Sequence, residues 1–168
     1  MKTIKGLENK LNLFLINSIY SGTKAFEKKR RLLNKLGHQI GEGTKIVTPF
    51  FCTGKLITGK DCWIGKNLTI NGNGTVIIGD NCDIAPEVTF QTGSHKIGSH
   101  NRRAGDGFNA DIKLGDGCWV GVRSTLLGGV EVEDGCIIAA CACVNKSVAK
   151  NTLVGGVPSK VIRNLSND

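Results

Sequence analysis

Aliphatic residues recur at every sixth position along most of this chain, and polar or small residues fill many of the places between them. One row runs through Ile40, Ile46, Cys52, Thr58, Ile64 and Ile70, where Cys52 and Thr58 are the weaker members. The same spacing returns at Ile78, Ile84, Phe90, Leu114, Val120, Leu126, Val132, Ile138 and Val144. Six is a multiple of the two-residue strand period but matches no turn of an α-helix. The pattern therefore predicts short extended segments joined by bends and repeated along the chain.

The length of this repeat selects one architecture. A coiled coil requires a period of seven residues, and a leucine-rich repeat requires about twenty or more. A parallel β-helix, with three short strands and three corners in each coil, fits a unit of six. Because a single coil cannot bury its own apolar row, each coil must be covered by its neighbours above and below. At about 1.5–3 kcal/mol for each buried aliphatic side chain, such a stack can stabilise the domain.

Two stretches depart from the repeat. Residues 71–75 add two residues to the phase, and their Gly and Asn residues suit the left-handed backbone of a bulging corner. The second departure is longer, because the repeat stops after His95 and resumes near Ile112, which leaves a predicted loop at 96–111. A loop of this length in a compact repeat is more often functional than not.

The residues before the repeat predict a different structure. Apolar positions there follow helical spacing, with Gly22 as the expected break, at Leu7, Leu11, Phe14, Leu15, Ile19, Phe26, Leu32, Leu33 and Leu36. We therefore divide the chain into a helical arm at 1–36, a solenoid at 37–154 and a tail at 155–168. The tail begins with two glycines and is expected to turn back along the stack.

The arm carries nearly all of the net charge. Nine basic and two acidic residues precede Gly37, so +7 of the total +8 lies there. Two interpretations of the arm remain open. It caps the first coil of the solenoid, or its basic residues from Lys24 to Arg31 dock on anionic membrane lipid. Nucleic-acid binding is not expected, because the basic run lacks interleaved aromatic residues and any recognisable module.

The seven cysteines predict neither disulfides nor a zinc site. Four of them, Cys62, Cys82, Cys118 and Cys136, fall at the fifth place of a hexad, and the chain contains no Cys-x-x-Cys pair. Any small residue would serve at that place, and free thiols suit a reducing compartment. Since no apolar run reaches about 18–20 residues and no signal peptide is evident, we expect a cytoplasmic protein.

His95 is the candidate for catalysis, because it stands at the root of the long loop on the last regular hexad before it. A neutral imidazole near physiological pH can take a proton from a hydroxyl group. A histidine in a loop is also commonly an ordinary surface residue. Its position beside the large interruption of the repeat is what favours a catalytic role.

Several motifs carry a resemblance to a known family. Apart from the hexads, these are Asn67-Leu68-Thr69-Ile70, Ile78-Gly79-Asp80-Asn81, Ile84-Ala85-Pro86, Thr92-Gly93-Ser94-His95, Gly117-Cys118-Trp119-Val120-Gly121 and the block from Gly156 to Arg163. Over about residues 40–165 the chain resembles the hexapeptide-repeat acyltransferases, in particular the bacterial sugar O-acetyltransferases. The resemblance implies an all-β fold, the left-handed parallel β-helix of that family.

The resemblance also implies a mechanism and an acyl donor. His95 matches the general base that deprotonates a sugar hydroxyl as it attacks the thioester of acetyl-CoA, without an acyl-enzyme. Acetyl-CoA would lie between neighbouring solenoids of a homotrimer, so that two chains form each site. The family's positions along acetyl-CoA correspond to Trp119, Val122, Ala140, Asn145, Pro158, Lys160 and Arg163. No metal is expected.

The acceptor side departs from the family pattern. The maltose- and galactoside-type enzymes place an Asn and an acidic residue against the sugar, where this chain has Gly65 and Asn73, so the acceptor is expected to differ. The candidate acceptor-binding residues are Asn73, Arg102, Arg103, Phe108 and Asn109. The two arginines either grip an acidic or phosphate-linked sugar or are merely solvated. The arm resembles the versions that act in surface-polysaccharide biosynthesis, with a sugar or nucleotide-linked sugar as the acceptor.

Two alternative functions compete with this one. His95 and His100 have the spacing of two zinc ligands in the γ-class carbonic anhydrases, which share this fold. The third histidine, His38, precedes them by several coils, so Asp106 or Asp111 would have to complete such a site. A non-enzymatic repeat scaffold is the other alternative, but it leaves the loop motif and the basic tail unexplained.

Overall fold

The computed structural model describes residues 2–166 and the side chains of residues 7–166. Three sheets built from successive coils form the faces of a solenoid, and two helices precede it. Asn167 and Asp168, at the end of the predicted tail, lie outside the described residues.

Each face of the solenoid is one sheet. Sheet A contains β1 (Gln39–Ile40), β4 (Lys55–Thr58), β7 (Thr75–Ile78), β12 (Ile112–Leu114) and β15 (Glu131–Val132). Sheet B contains β2 (Lys45–Ile46), β5 (Trp63–Ile64), β8 (Asp83–Ile84), β13 (Trp119–Val120), β16 (Ile137–Ile138), β18 (Thr152–Gly155) and β19 (Lys160–Asn164). Sheet C contains β3 (Phe50–Cys52), β6 (Leu68–Asn71), β9 (Thr89–Gln91), β14 (Thr125–Leu127) and β17 (Cys143–Val144). Within these three sheets, neighbouring strands are parallel except for β18 and β19, so the predicted parallel β-helix is confirmed.

The six-residue row of the sequence forms the core. Its thirteen aliphatic and aromatic members, from Ile40 to Val144, are each at most 3% exposed. Strand register stacks them, since Ile84 pairs with Ile64 on one side and Val120 on the other. Burial of this row is therefore shared between coils, as the prediction of a stacked repeat requires.

The cysteines at the fifth hexad place form a second buried column. Each thiol donates a hydrogen bond to a carbonyl oxygen of the following coil, with Sγ to O distances of 3.0–3.3 Å: Cys62 to Gly79, Cys82 to Gly115, Cys118 to Glu133 and Cys136 to Ala149. All seven cysteines are free. Their interpretation as small buried residues is confirmed for these four positions.

The corners of successive coils lie in close contact. A Cβ at Gly79 would lie 2.7 Å from the carbonyl carbon of Gly115, so only glycine fits there. Beside it, Asp116 Oδ1 accepts a 2.7 Å hydrogen bond from the Asp80 amide, and Asp80 Oδ1 accepts one of 2.7 Å from the Lys60 amide. The Gly-Asp pairs of the sequence therefore bind one corner to the next.

The repeat is interrupted twice, once by a turn and once by a hairpin. Between β6 and β7 the chain turns at Gly72, which has a φ of +92°. The longer interruption is an antiparallel hairpin of β10 (Gly93–Ile97) and β11 (Ala104–Asn109). It begins three residues before the loop predicted at 96–111, because Gly93 to His95 keep the extended spacing of the preceding strand.

The arm packs on the first coil. It consists of α1 (Lys2–Phe14), a π-helical segment (Leu15–Ile19) and α2 (Phe26–Lys35), with Gly22 at a φ of +77° in the break between the helices. Ile16 and Leu33 are fully buried against the core of the solenoid. The Thr48 hydroxyl donates a 2.9 Å hydrogen bond to the Ile16 carbonyl. The inner side of the arm thus covers the first coil, as the capping interpretation expects.

Lys29 is the only charged side chain that is buried among residues 7–166. Its Nζ donates a 2.7 Å hydrogen bond to the Gly22 carbonyl and lies 4.7 Å from the centroid of the Phe26 ring. Burial lowers the pKa of Lys29 from 10.5 to about 8. At neutral pH the buried positive charge of Lys29 therefore opposes the packing of α2 on the first coil.

Raising the pH should stabilise the protein through Lys29. Between about pH 8 and 10.5 the unfolded chain binds this proton and the folded chain does not, so the free energy of unfolding rises with pH. We expect a gain of about 1–3 kcal/mol from this group between pH 7 and 10. The Lys29→Met variant should lack this gain, which denaturant unfolding of both proteins at the two pH values measures. An identical pH dependence in both proteins would contradict the burial of a charged amine.

Candidate active site

The hairpin fixes the orientation of His95. Gly107 lies opposite His95 in the antiparallel pair, and the His95 Nδ1 atom is 2.9 Å from the Gly105 carbonyl oxygen. Because a carbonyl oxygen can only accept, Nδ1 must carry the hydrogen. The neutral ring then presents its Nε2 lone pair as an acceptor, which is the arrangement that a general base requires.

A pocket opens at the base of the hairpin around His95. Its other side chains come from Gln91, Ser94, Phe108 and Asn109. The Gln91 Nε2 atom donates a 2.9 Å hydrogen bond to the Gly93 carbonyl, and its Oε1 atom has no hydrogen-bond partner within the described part of the chain. Phe108 is 41% exposed and forms an apolar wall. The pocket therefore combines one basic nitrogen, carboxamide groups and one aromatic ring.

The predicted acceptor residues divide into two groups. Phe108 and Asn109 line the pocket, and Asn109 Oδ1 accepts a 2.7 Å hydrogen bond from the Asn73 amide, which holds residue 73 at the pocket's edge. Arg102 and Arg103 lie beyond the last strand pair, in the exposed tip of the hairpin. They do not line the pocket of their own chain, because the hairpin carries them away from His95.

The sequence analysis did not predict that Gln91 and the Gly105 carbonyl belong to the pocket. A backbone carbonyl has no sequence signal of its own. Gln91, however, alternates with Gly93 and His95 at the two-residue period of a strand, so it points to the same outward side. This alternation is the signal that could have identified it.

An apolar groove runs along the outer face of sheet B. Small residues form its floor, since a Cβ at Gly121 would lie 2.5 Å from the Ala140 amide nitrogen. Trp119 is 56% exposed on one wall, and Arg163 of β19 adds a positive charge. We call this feature the sheet B groove; its lining includes Trp119, Gly121, Val122, Ala139, Ala140 and Arg163. It is mostly apolar and carries one positive charge, that of Arg163.

The structure brings together four of the seven predicted donor-binding residues. Trp119, Val122, Ala140 and Arg163 all line the sheet B groove. Lys160 instead lines a separate hollow with Lys146 and Ser159. The pairing of β19 with β18 contains a bulge between these two residues, because Val161 pairs with Val154 but Arg163 pairs with Leu153. Their spacing of three therefore does not follow simple strand alternation.

The two remaining residues predicted to bind the donor lie outside the groove. Asn145 is exposed just after β17, and Pro158 lies in the turn between β18 and β19. Neither lines the groove of its own chain. The groove and the His95 pocket share no lining residue, and they lie on different faces of the solenoid.

His38 has a structural role. Its Nδ1 atom accepts a 3.1 Å hydrogen bond from the Leu56 amide, and its ring packs edge-on against Phe50 at 5.5 Å. Burial, followed by the charge of Lys55, lowers the pKa of His38, so its neutral form is favoured. Among the residues that the structure describes, no group of three His, Cys, Asp or Glu side chains is placed to hold a metal ion. The carbonic anhydrase alternative therefore lacks its third histidine, which is fixed in the first coil.

Comparison with known proteins shows which family this chain resembles in sequence and in fold. Residues 111–146 match the model of the bacterial transferase hexapeptide (six repeats), and residues 55–85 match the hexapeptide repeat of succinyl-transferase. Galactoside O-acetyltransferase of Escherichia coli is 31% identical over 97% of this chain and 80% of its own length. A hexapeptide-repeat acetyltransferase of Vibrio cholerae, solved with acetyl coenzyme A, has a TM-score of 0.82 and 26% identity over 98% of this chain and 89% of that one.

A second solved structure gives the same result. A galactoside acetyltransferase in complex with coenzyme A has a TM-score of 0.82 and 28% identity, over 98% of this chain and 82% of that one. The stacked hexads and the histidine hairpin define a hexapeptide-repeat transferase. The chain belongs to the hexapeptide-repeat acetyltransferases, which confirms the predicted resemblance and the left-handed β-helix.

The hydrogen bonds predict opposite tautomers for two histidines. Since Gly105 accepts from His95, the neutral His95 ring should be protonated at Nδ1; since Leu56 donates to His38, the neutral His38 ring should be protonated at Nε2. Long-range ¹H–¹⁵N spectra of the protein at pH 8.5 would distinguish them, with the His95→Ala and His100→Ala variants assigning the three rings. Protonation of His95 at Nε2 would contradict the proposed orientation.

Proposed function

We propose that this acetyl-CoA-dependent acetyltransferase transfers the acetyl group to a hydroxyl of a sugar, with His95 as the general base. The observation that carries the proposal is the hydrogen bond of His95 to Gly105, which leaves Nε2 free in a polar pocket. The donor is supported by the relatives that bind coenzyme A or acetyl coenzyme A. The acceptor class is supported by the galactoside O-acetyltransferase of Escherichia coli.

The reaction follows from the geometry of the His95 ring. Nε2 takes the proton of the acceptor hydroxyl as its oxygen attacks the carbonyl carbon of the thioester. A backbone N–H group would stabilise the oxyanion of the tetrahedral intermediate. When the C–S bond breaks, the imidazolium returns its proton to the thiolate, and the products are the acetyl ester and free coenzyme A.

We propose that each active site is formed by two chains of a homotrimer. The sheet B groove would hold the pantetheine arm against Val122 and Ala140, with Arg163 near a phosphate group. His95 would come from the neighbouring chain. This arrangement is supported by the separation of groove and pocket on different faces of one chain, and by the exposed apolar side chains of Trp119 and Val161, which are 56% and 66% exposed.

The acceptor pocket suits a hydroxyl-rich ring. The Gln91 and Asn109 carboxamides would bind sugar hydroxyls, and the exposed face of Phe108 would pack against the apolar side of the ring. Because the pocket opens at the surface, we propose an acceptor that continues beyond one sugar, such as a surface polysaccharide or a nucleotide-linked precursor. Arg102 and Arg103 at the hairpin tip would then meet an acidic or phosphate-bearing part. Seven free cysteines favour the cytoplasm as the compartment.

Removing His95 should abolish the proton transfer but not donor binding. The His95→Ala variant should lose about 10²–10⁴ in kcat while its Kd for acetyl-CoA stays nearly unchanged. The matched control is His100→Ala, an exposed histidine of the hairpin tip that should keep wild-type turnover. Release of free thiol with a panel of sugars and nucleotide-linked sugars measures the turnover of all three proteins.

Thiol release, acetyl-CoA binding, metal analysis and CO₂ hydration together separate the competing functions. Full thiol release by His95→Ala would contradict the role of His95. Stoichiometric zinc or iron together with CO₂ hydration would favour the carbonic anhydrase alternative. Failure to bind acetyl-CoA at millimolar concentration would favour a scaffold.

Filling the sheet B groove should weaken donor binding. Ala139→Phe places a ring on the groove floor, and we expect the Kd for acetyl-CoA to rise at least about tenfold. Ile77→Phe adds bulk to the outward side of sheet A and serves as the control. Isothermal titration calorimetry measures both affinities, and unfolding curves should show that both variants remain folded. Unchanged affinity in Ala139→Phe would place the donor elsewhere.

A further inference from the structure

The outward face of α1 is an apolar stripe. Leu7, Leu11 and Phe14 are 71%, 55% and 55% exposed, and their spacing of four and three residues places them on one side of the helix. Asn12 of α1 is buried, and Ile16 of the following π-helical segment is buried against the core of the solenoid. Capping the first coil therefore explains the burial of Ile16 and leaves the large exposed apolar residues of α1 without a role.

The outward face of α2 is a basic stripe. Lys28, Arg31 and Lys35 stand three and four residues apart on the exposed side, opposite the buried Lys29 and Leu33. Nothing in the donor or acceptor pockets uses these three cations. They belong to the arm alone.

The apolar and basic stripes meet in one surface. Leu15 follows Leu11 by one helical turn, and it lines a shallow groove between the helices together with Tyr20 and Leu32. Lys28, Arg31 and Lys35 form the polar side of the same groove, and Lys28 Nζ lies 5.5 Å from the centroid of the Tyr20 ring. We call the two stripes and this groove the arm surface. It has an apolar half and a cationic half side by side.

Acidic residues do not neutralise the arm surface. Glu8 and Glu27 are the two acidic residues before Gly37, and Glu27 is held by Arg30 at 2.6 Å and by Arg31 at 3.3 Å. Glu27 thus offsets part of the charge of two arginines and leaves Lys28 and Lys35 unopposed. The arm keeps a strong positive potential next to its apolar stripe.

We infer that the arm surface docks this protein on an anionic phospholipid membrane. The stripe of Leu7, Leu11 and Phe14 would enter the boundary between head groups and acyl chains, and the α2 cations would meet the phosphates. No helix in the described part of the chain is long and apolar enough to cross a bilayer. Charge complementarity favours lipid over a second copy of the arm, because two arms of +7 repel each other. The rest of the chain, at +1, offers no matching acidic excess.

Vesicle sedimentation of the full-length protein tests this inference. Vesicles of phosphatidylcholine alone are compared with vesicles of phosphatidylcholine and phosphatidylglycerol in a ratio of about 70 to 30, at low and high salt. We expect binding to the anionic vesicles that is at least about tenfold tighter and that weakens as salt rises. Equal binding to both vesicle types, or no binding to either, would overturn the inference.

Three variants assign the binding to its two halves. Replacing Leu7, Leu11 and Phe14 together by Ser should weaken vesicle binding at least about tenfold. The Lys28→Glu/Lys35→Glu variant should weaken it at least about 25-fold, since each removed cation contributes about fivefold. The control is Lys66→Glu/Lys150→Glu, which makes the same change of net charge on exposed residues of the solenoid and should bind within about threefold of wild type.

Three further readouts separate docking from other effects. All variants should keep the wild-type unfolding transition and acetyl transfer to a soluble acceptor, because none of these residues lines either pocket. Sedimentation velocity should show an unchanged oligomeric state. If the serine variant dissociates the oligomer and leaves vesicle binding intact, the stripe is an interface between copies and the membrane inference fails.

Discussion

The structure depends on the inability of one coil to bury its own apolar row. Each inward side chain, such as Ile84, is covered only when the coils above and below place Ile64 and Val120 against it. This shared burial spreads stability along the stack and makes the inward positions strict. The thiol column and the Gly-Asp corners follow the same period, because each binds one coil to the next. The outward positions are released from packing and can carry chemistry.

The two candidate sites lie where the six-residue repeat is interrupted and where its outward side chains are small. The hairpin after β9 breaks it, and the antiparallel pairing of β10 with β11 then holds His95 against the carbonyl of Gly105. On sheet B the repeat continues, but the small residues Gly121 and Ala139 leave a groove on its outer face. The arm contributes differently, since its inner side closes the first coil and its outer side stays free.

The sequence allowed the fold to be predicted almost completely, because the hexad period is both regular and long. His95 and Trp119 were predicted from short motifs that keep a fixed place relative to the period, and Val122 was predicted from the resemblance to the family. The role of the Gly105 carbonyl could not be predicted, since every residue has a backbone carbonyl and the residue type does not indicate which one is used. Spacing along the strand does not reveal that Lys160 and Arg163 line different cavities, or that Arg102 and Arg103 are carried away from His95. The burial of Lys29 could not be predicted either, because lysine is usually exposed, whereas here α2 places the Lys29 amine against the Gly22 carbonyl.

The central claim is that the groove of one chain meets His95 of another, and mixed oligomers test it most directly. His95→Ala subunits lack the base, and Ala139→Phe subunits bind the donor weakly, so each protein alone should release little thiol when the acetyl-CoA concentration lies well below the raised Kd of Ala139→Phe. After unfolding and joint refolding in equal amounts, about one quarter of the sites should combine an intact base with an intact groove, and thiol release should recover to about that fraction. A mixture that stays as inactive as its separate components would show that the base and the groove of each site belong to one chain.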